Sequence, residues 1–600
     1  MAFLSHWYKP LLQDRGPRID KQFIACSLEI QVDRQRDISQ DSYVDMDTAL
    51  LFEHKRVGRR RSLTWYVILI AVLVVLGLFV FGIVFVARRG TATRAPTDTS
   101  APATPAPQTQ ALLASRLLAS MNRNMNPCDD FYEFVCGGWM NSTEIPPDKK
   151  EVSQFSHIAE NNDKIIQSAL EKDPGRMGIY YQSCLDTARI DALGVSPLQQ
   201  FLLDPVFKNT HENLWELVAR LLRYNIKTLL EMGVSADLKN PEFQVIDVSL
   251  GLISLGSPAM YQKLETKERY KEYVQVLVKN MPFQNTKLTI EELTRAIVDF
   301  ETTGASLWYH TSSNNSPSSD LNSRYNKFSI VDLEQKFPLI PWTLLVTKLL
   351  PDIDLNALQF NVVSPVFLVR ASELIHGTDS GFLKDYMIYK AMNALDLYMS
   401  SEISRAAFEF KIKLMNGVDK PVSRQVSCIR LVTERFPDEI GRKFVQNAFS
   451  FKAREKSVEM LSYLKKSFEQ NLPEVEWMDD LTRNKAREKF SRMIDFIGYP
   501  DNWTDFSSVN VYPNEFFQSS IEALKFSSKI QWDHLKSKTN RFLWKMNAAA
   551  VNAFYSMDFN TINFPAGILQ PELFREDYPH YVNFARIGMV IGHEISQWAF

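Results

Sequence analysis

The sequence has few cysteines and no excess of charge of either sign. Five cysteines in 600 residues exclude a small disulfide-built scaffold, and 68 Lys and Arg against 70 Asp and Glu leave a net charge of −2. A balance so close to neutral argues against nucleic acid as a partner. The sequence also has no phosphate-binding glycine loop, no Cys-x-x-Cys pair and no Gly-x-Ser-x-Gly elbow. Nucleotide, redox and serine-hydrolase chemistry therefore have no support.

One long hydrophobic run is present near the N-terminus. Leu63 to Ala87 contains no charged residue, and at about 1.5 Å per residue it exceeds the roughly 30 Å hydrocarbon core of a bilayer. It follows some sixty mostly polar residues, too many for a cleaved signal peptide. Five Lys and Arg residues at 55–61 precede it, against three at 88–94. This bias predicts a type II single-span protein of the plasma membrane, with a cytosolic N-terminus and an extracellular C-terminus.

The segments around this run have distinct compositions. Residues 1–62 are predicted as a cytosolic tail, 63–87 as a transmembrane signal anchor, and 88–111 as a stalk rich in Thr, Ala and Pro. Three N-glycosylation sequons, at Asn141, Asn314 and Asn502, all fall on the predicted extracellular side.

From about residue 112 to 500 the hydrophobic pattern is mainly helical. One predicted helix carries the apolar stripe Val458, Leu461, Leu464 and Phe468. A second is predicted to start at Asp479 or Asp480, to end at Gly498 and Pro500, and to carry the stripe Ala486, Phe490, Met493, Ile494 and Ile497. The predicted fold class is therefore mainly α, with a large helical ectodomain.

The residues that suggest chemistry lie near the C-terminus. His593 and Glu594 lie on a predicted helix, in the stretch from Ile587 to Ile595. In the His-Glu-x-x-His type of zinc hydrolase, two imidazoles one helical turn apart bind the metal, and the glutamate between them is the general base. Position 597 is where the second histidine is expected, and it is Gln597.

Several ordered blocks carry a resemblance to a known family. They are Pro127 to Tyr132, Cys136-Gly-Gly-Trp139, Tyr181-Gln-Ser-Cys184, Trp477-Met-Asp-Asp480, Ile497-Gly-Tyr-Pro500, Asn552 to Ser556, Phe564 to Gln570 and Ile587 to Ile595. With the short tail, the single span and the helical ectodomain, they make the chain resemble the neprilysin and endothelin-converting-enzyme family of membrane-anchored zinc endopeptidases, which cleave extracellular peptides.

The resemblance implies a two-lobed ectoenzyme with one Zn²⁺ per chain. Residues 112–540 would form the N-terminal helical domain, and 541–600 the beginning of a thermolysin-like α+β catalytic lobe. His593 matches a zinc ligand, Glu594 matches the general base, and Asn552 with Ala553 match the edge that holds substrate as an added strand. Cys184 and Cys428 match a disulfide pair, whereas the family partners of Cys128 and Cys136 lie near its C-terminus, so these two are expected to be unpaired here.

The departures from the family pattern bear on activity. Gln597 offers only a neutral amide, and the family's third ligand, a glutamate, and its stabilising histidine lie further downstream than Phe600. The chain is therefore expected to hold zinc poorly and to be inactive. It is also expected to leave Ile587, Met589, Val590 and Ile591 without packing partners, which favours retention in the endoplasmic reticulum. The alternatives are a non-catalytic isoform that binds peptides or pairs with a second copy or a full-length relative, and an incomplete gene model.

Overall fold

The computed structural model describes residues 107–203, 213–312 and 324–597. The predicted tail and membrane span, most of the predicted stalk, and Asn314 lie outside these ranges. Among the residues inside them, no helix combines the length and the apolar character that a membrane crossing requires. The first described helix begins at Pro107, within the last residues of the predicted stalk.

Helices dominate the described chain, as predicted. The first eleven are α1 Pro107–Ser120, α2 Phe131–Ser142, α3 Gln154–Glu171, α4 Arg176–Leu185, α5 Thr187–Leu193, α6 Ser196–Leu203, α7 Leu214–Leu222, α8 Leu264–Lys279, α9 Ile290–Ser312, α10 Ile330–Lys336 and α11 Trp342–Leu349. The remainder are α12 Pro365–His376, α13 Ser380–Leu395, α14 Ser401–Ala407, α15 Arg424–Arg435, α16 Pro437–Ala448, α17 Phe451–Asn471, α18 Asp480–Ser491, α19 Phe516–Asp533, α20 His580–Ala585 and α21 Ile587–Gln597. A π-helical segment, Phe408–Leu414, continues α14.

The described strands form two small sheets. They are β1 Leu230–Ala236, β2 Gln244–Leu250, β3 Lys327–Phe328, β4 Phe360–Val362, β5 Ile494–Gly498, β6 Phe554–Ser556 and β7 Thr561–Pro565. The first sheet has the order β1-β2-β4-β3, with β2 and β4 parallel and its other pairs antiparallel. The second has the order β5-β7-β6, with β5 and β7 parallel. The periodicity of the sequence predicted neither sheet.

Two details of the predicted helices are wrong. The first predicted helix lies within α17, but Val458 of its stripe is exposed, whereas Leu461 and Phe468 are buried. The second is α18, in which the Asp479 side chain accepts the Thr482 N–H as an N-cap, yet the helix ends at Ser491. Ile494 to Gly498 form β5 instead, because they pair in parallel with Thr561 to Pro565. A long-range pairing thus overrides the local helical period.

One continuous hydrophobic core extends from Ile158 on α3 to Ile595 on α21 and includes residues of both sheets. Helix α21 packs against α17, α20 and β6. Four of its apolar residues are buried: Ile587, Met589, Val590 and Ile591. The expectation that they lack packing partners is therefore wrong, because neighbouring elements of the described chain already cover them.

The cysteines follow the family pattern in part. Cys184 on α4 and Cys428 on α15 form a disulfide across a sequence separation of 244, which confirms the predicted pair. Cys128 is exposed and free, as expected. Cys136 is buried on α2 and disulfide-bonded, so the expectation that it is unpaired is wrong. That expectation considered only the family's C-terminal partner.

We predict that replacing both Cys184 and Cys428 with alanine lowers the free energy of unfolding by roughly 2–5 kcal/mol, because the bond closes a very long loop in the unfolded chain. Denaturant unfolding followed by circular dichroism measures this loss. Cys128→Ala is the matched control and should leave the midpoint unchanged, since Cys128 is exposed and free. An unchanged midpoint in the double variant would contradict a stabilising role for the disulfide.

Candidate active site

The second sheet positions the residues that the sequence singled out. Its central strand β7 is buried along its whole length and pairs with β5 on one side and with β6 on the other. Strand β6 pairs antiparallel with β7, with Tyr555 opposite Ile562, and is an edge strand of this sheet. Asn552 and Ala553 lead directly into β6, so both residues lie at the start of that edge.

The loops that flank this sheet are anchored to the helical part of the chain. The buried Asn162 on α3 donates hydrogen bonds from Nδ2 to the carbonyls of Ala549, at 3.3 Å, and Gly567, at 2.9 Å. Gly567 lies so close to this loop that a Cβ added there would be 2.1 Å from the Ala549 carbonyl oxygen. Only glycine fits this close backbone approach, which brings the chain after β7 against the segment before β6.

Helix α21 brings Glu594 to the edge strand. Glu594 is only 6% exposed, and the backbone N–H of Tyr555 in β6 is close enough to act on the pKa of its carboxyl group. His593, the preceding residue, is half-buried, and Gln597 follows one turn later on the same face. The structure therefore brings Glu594 together with the strand that begins after Asn552 and Ala553.

Burial changes the protonation of both ionisable residues. Burial away from solvent raises the pKa of Glu594 to about 7, and the nearby backbone N–H of Tyr555 offsets part of that rise. Burial lowers the pKa of His593 from its usual value. At neutral pH the His593 imidazole is therefore uncharged, and its unprotonated nitrogen can accept a hydrogen bond.

The residues present do not fit a catalytic zinc site. The Nε2 atoms of His593 and Gln597 lie 2.9 Å apart, a hydrogen bond in which the Gln597 amide donates to the imidazole. Catalytic zinc sites use three protein ligands drawn from His, Cys, Asp and Glu, with water in the fourth position. Within 107–203, 213–312 and 324–597 no three such residues are grouped to hold a metal ion. His593 supplies one imidazole. The Gln597 amide, one turn away, provides the hydrogen-bond partner of that imidazole without a metal.

Comparison with protein-family models identifies the family. Residues 127–500 match the N-terminal part of peptidase family M13, and residues 552–598 match its peptidase part. The chain belongs to peptidase family M13. This confirms the resemblance to the neprilysin and endothelin-converting-enzyme family of zinc metallopeptidases, which the sequence blocks indicated.

Curated relatives extend the match. The chain is 27% identical to endothelin-converting enzyme 1 of Bos taurus over 526 residues, which cover 83% of this chain and 69% of that protein. It is 25% identical to membrane metallo-endopeptidase-like 1 of Mus musculus over 529 residues, covering 81% of this chain and 68% of the relative. Both matches extend over most of the length of this M13 chain.

Solved structures share the fold. Zinc metalloprotease ZMP1 of Mycobacterium tuberculosis, in complex with an inhibitor, matches with a TM-score of 0.70 at 22% identity, over 80% of this chain and 73% of that one. PepO of Lactobacillus rhamnosis matches with a TM-score of 0.67 at 20% identity, over 79% of this chain and 76% of the other. The mainly helical architecture with small sheets is therefore that of M13 peptidases.

Sequence reasoning missed two contacts that shape this M13 site. The approach of Glu594 to Tyr555 joins a helix to a strand that lies 39 positions earlier, and no local pattern marks it. The Asn162 anchor joins residues 405 positions apart. In the sequence, the motif from Asn552 to Ser556 indicated a substrate-binding strand, but it did not indicate that Glu594 lies beside that strand.

We predict that Glu594→Gln stabilises the protein at pH 8 and has no such effect below about pH 4.5. The folded pKa of about 7 lies above the ordinary value of 4.5, so the folded state binds more protons than the unfolded state between these values. Stability of the native sequence is therefore lost as pH rises through that window. The gain at pH 8 should be a few kcal/mol, since each tenfold change in a proton-binding constant is worth about 1.4 kcal/mol.

Denaturant unfolding in the presence of a chelator, at several pH values, measures this difference. Glu455→Gln is the control, because Glu455 is exposed on α17 and the same chemical change should have little effect there. A Glu594→Gln variant whose stability gain does not change between pH 4 and pH 8 would show that the folded and unfolded pKa values are the same.

Proposed function

We propose that this M13 protein binds extracellular peptides along the edge of β6, and that its described residues do not hydrolyse them through zinc. One observation carries the proposal. The buried Glu594 lies beside the edge strand, while Gln597 is hydrogen-bonded to the His593 imidazole. The peptide-binding half of the site is thus supported independently of the metal-binding half.

Strand addition is the binding mode that this edge favours. An extended peptide can pair with an exposed sheet edge through main-chain hydrogen bonds, which are largely independent of peptide sequence. Asn552 is exposed at the start of the edge, and its Oδ1 accepts the Ala553 N–H at 2.9 Å. This contact fixes the side-chain amide and leaves Nδ2 available to donate to a peptide carbonyl.

The second candidate function is zinc endopeptidase activity. Its support is that His593 and Glu594 lie on α21, within the stretch that matches the peptidase part of family M13, for which one Zn²⁺ per chain is expected. Zinc content and peptide turnover separate the two candidates. An active enzyme holds about one metal per chain and loses turnover to a chelator, whereas the peptide-binding protein binds the same peptide with no turnover and regardless of chelator.

The proposed setting is the extracellular side of the plasma membrane. The apolar run at 63–87 would be the signal anchor, with 1–62 in the cytosol, 88–111 as stalk, 112–540 as the N-terminal domain and 541–600 as the start of the thermolysin-like catalytic lobe. Asn141 and Asn502 are exposed, which supports glycosylation at both sequons. Pairing with a second copy or with a full-length relative is part of the non-catalytic alternative. Glycosidase digestion of protein from cultured cells tests the topology, since cytosolic sequons carry no N-glycans.

We predict that Asn552→Ala weakens peptide binding about two- to tenfold, because one neutral hydrogen bond is worth about 0.5–1.5 kcal/mol. Fluorescence anisotropy of a labelled peptide, in the presence of a chelator, measures the dissociation constant. Asn447→Ala is the matched control, since Asn447 is also exposed and its Nδ2 donates only to the Lys443 carbonyl on its own helix. Equal effects of the two substitutions would contradict binding at the β6 edge.

We predict that Gln597→His raises zinc affinity without producing turnover. Two imidazoles one turn apart on α21 can share a metal ion, but a catalytic site needs a third protein ligand, and the described residues group no such third ligand with them. Zinc titration followed by hydrolysis of a quenched fluorescent peptide measures both properties. Turnover by this variant that a chelator abolishes would show that another residue completes the site.

A further inference from the structure

A cavity of about 390 Å³ lies under helix α1, between α3 and the segment that follows β7. Its apolar wall is formed by Leu113, Ile158, Ile165 and Tyr578. Leu113 and Tyr578 also belong to a small hydrophobic cluster that is separate from the main core. The volume is within the range of sites that bind small molecules. None of Asn552, Ala553, His593 or Glu594 lines it, so this cavity is distinct from the peptide edge.

Two buried amides line the cavity and have unused acceptor atoms. Asn162 is 3% exposed and its Nδ2 donates to the carbonyls of Ala549 and Gly567. Gln570 is 6% exposed and its Nε2 donates to the carbonyls of Ala448 and Ala566. Because the nitrogen of each amide is turned toward two carbonyl oxygens, its orientation is fixed.

The oxygens of these amides are therefore turned away from those carbonyls. Neither Oδ1 of Asn162 nor Oε1 of Gln570 accepts a hydrogen bond from the described residues. Neither oxygen is fully occluded, so each keeps some accessible surface. Since both residues are almost entirely buried and line the cavity, these oxygens are reached from it. They are ready acceptors for a donor that enters.

Glu572 is the acidic side chain that lines the cavity, and it also interacts electrostatically with Arg586. The Glu572 side chain is 18% exposed, and Arg116 approaches it only loosely, at 3.8 Å, with a side chain that is 59% exposed. An ion pair this exposed contributes little to stability, so a ligand cation can take the place of Arg116 beside Glu572. Arg575 also lines the cavity. Its guanidinium donates two hydrogen bonds to the Asp577 carboxylate, at 2.7 and 2.8 Å, so its positive charge is balanced by that carboxylate.

We propose that this cavity binds a protonated amine or guanidinium carried on a short apolar chain, as in an arginine or lysine residue of a peptide. The cation displaces Arg116 from Glu572 and donates to the oxygens of Asn162 and Gln570, while the apolar part of the ligand contacts the wall formed by Leu113, Ile158, Ile165 and Tyr578. Because Asn162 also holds the loops that flank β6 and β7, a ligand here contacts a residue that supports the peptide edge.

Isothermal titration of the full chain with acetyl-Leu-Arg-amide tests the proposal. Acetyl-Leu-citrulline-amide is the matched probe, since citrulline has almost the same shape as arginine and no charge. We expect the arginine probe to bind at least tenfold more tightly than the citrulline probe, because hydrogen bonds to charged groups are roughly twice as strong as neutral ones. Acetyl-Leu-Lys-amide and the unacetylated dipeptide Leu-citrulline-amide separate a side-chain amine from a terminal amine.

Two variants have opposite expected effects. Glu572→Gln should weaken the arginine probe about tenfold or more, and Arg116→Ala should tighten it a few-fold by removing the competing cation. Glu459→Gln is the charge control, because Glu459 is exposed on α17 and does not line the cavity. Ile165→Trp should block binding by filling the space, with circular dichroism as the check on folding. Asn552→Ala should leave this binding unchanged, which separates it from the β6 edge.

Several results would overturn the proposal. Equal binding of the arginine and citrulline probes, or no binding of either, would show that the cavity does not select a cation. Weaker binding in Arg116→Ala together with tighter binding in Glu572→Gln would show that it prefers an anion. Loss of binding in Asn552→Ala with no effect of Glu572→Gln would place the probe at the β6 edge, which supports the proposed function and contradicts the cavity site.

Discussion

The parallel pairing of β5 with β7 is the contact on which the site depends. Ile494 to Gly498 follow directly from the helical part of the chain, and they pair with the buried strand Thr561 to Pro565. β7 in turn pairs with β6, and the other edge of β6 is where we propose that a peptide adds. The Asn162 hydrogen bonds then hold the loops on either side of this sheet. The β5–β7 pairing therefore joins the sheet that contains this edge to the helical part of the chain.

The position of Glu594 beside Tyr555 does not require a bound metal. A buried carboxyl group next to an edge strand needs only the strand's amide and the surrounding core to hold it in place. A metal requires several ligands at once. At position 597 the chain has glutamine, whose amide is hydrogen-bonded to His593. The strand edge does not depend on that residue.

Local patterns predicted the helical architecture, α21 with His593 and Glu594, and the N-cap at Asp479, and the family motif added the Cys184–Cys428 pair. These patterns could not predict contacts between residues that are far apart in the sequence. Ile494 and Ile497 fit a helical stripe, yet their partners are 67 positions away on β7. The small four-stranded sheet, the disulfide-bonded state of Cys136 and the cavity under α1 likewise depend on residues that only the folded chain brings together.

The most direct test of the account is amide hydrogen exchange, followed by mass spectrometry, in metal-free protein with and without an unlabelled extracellular peptide. We expect slower exchange in the segment from Asn552 to Ser556 when peptide is present and a chelator has removed all zinc. The strand Leu230–Ala236, in the other sheet, should exchange at the same rate in both samples. Protection of 552–556 that requires added zinc, or no protection there at all, would contradict metal-independent binding at the β6 edge.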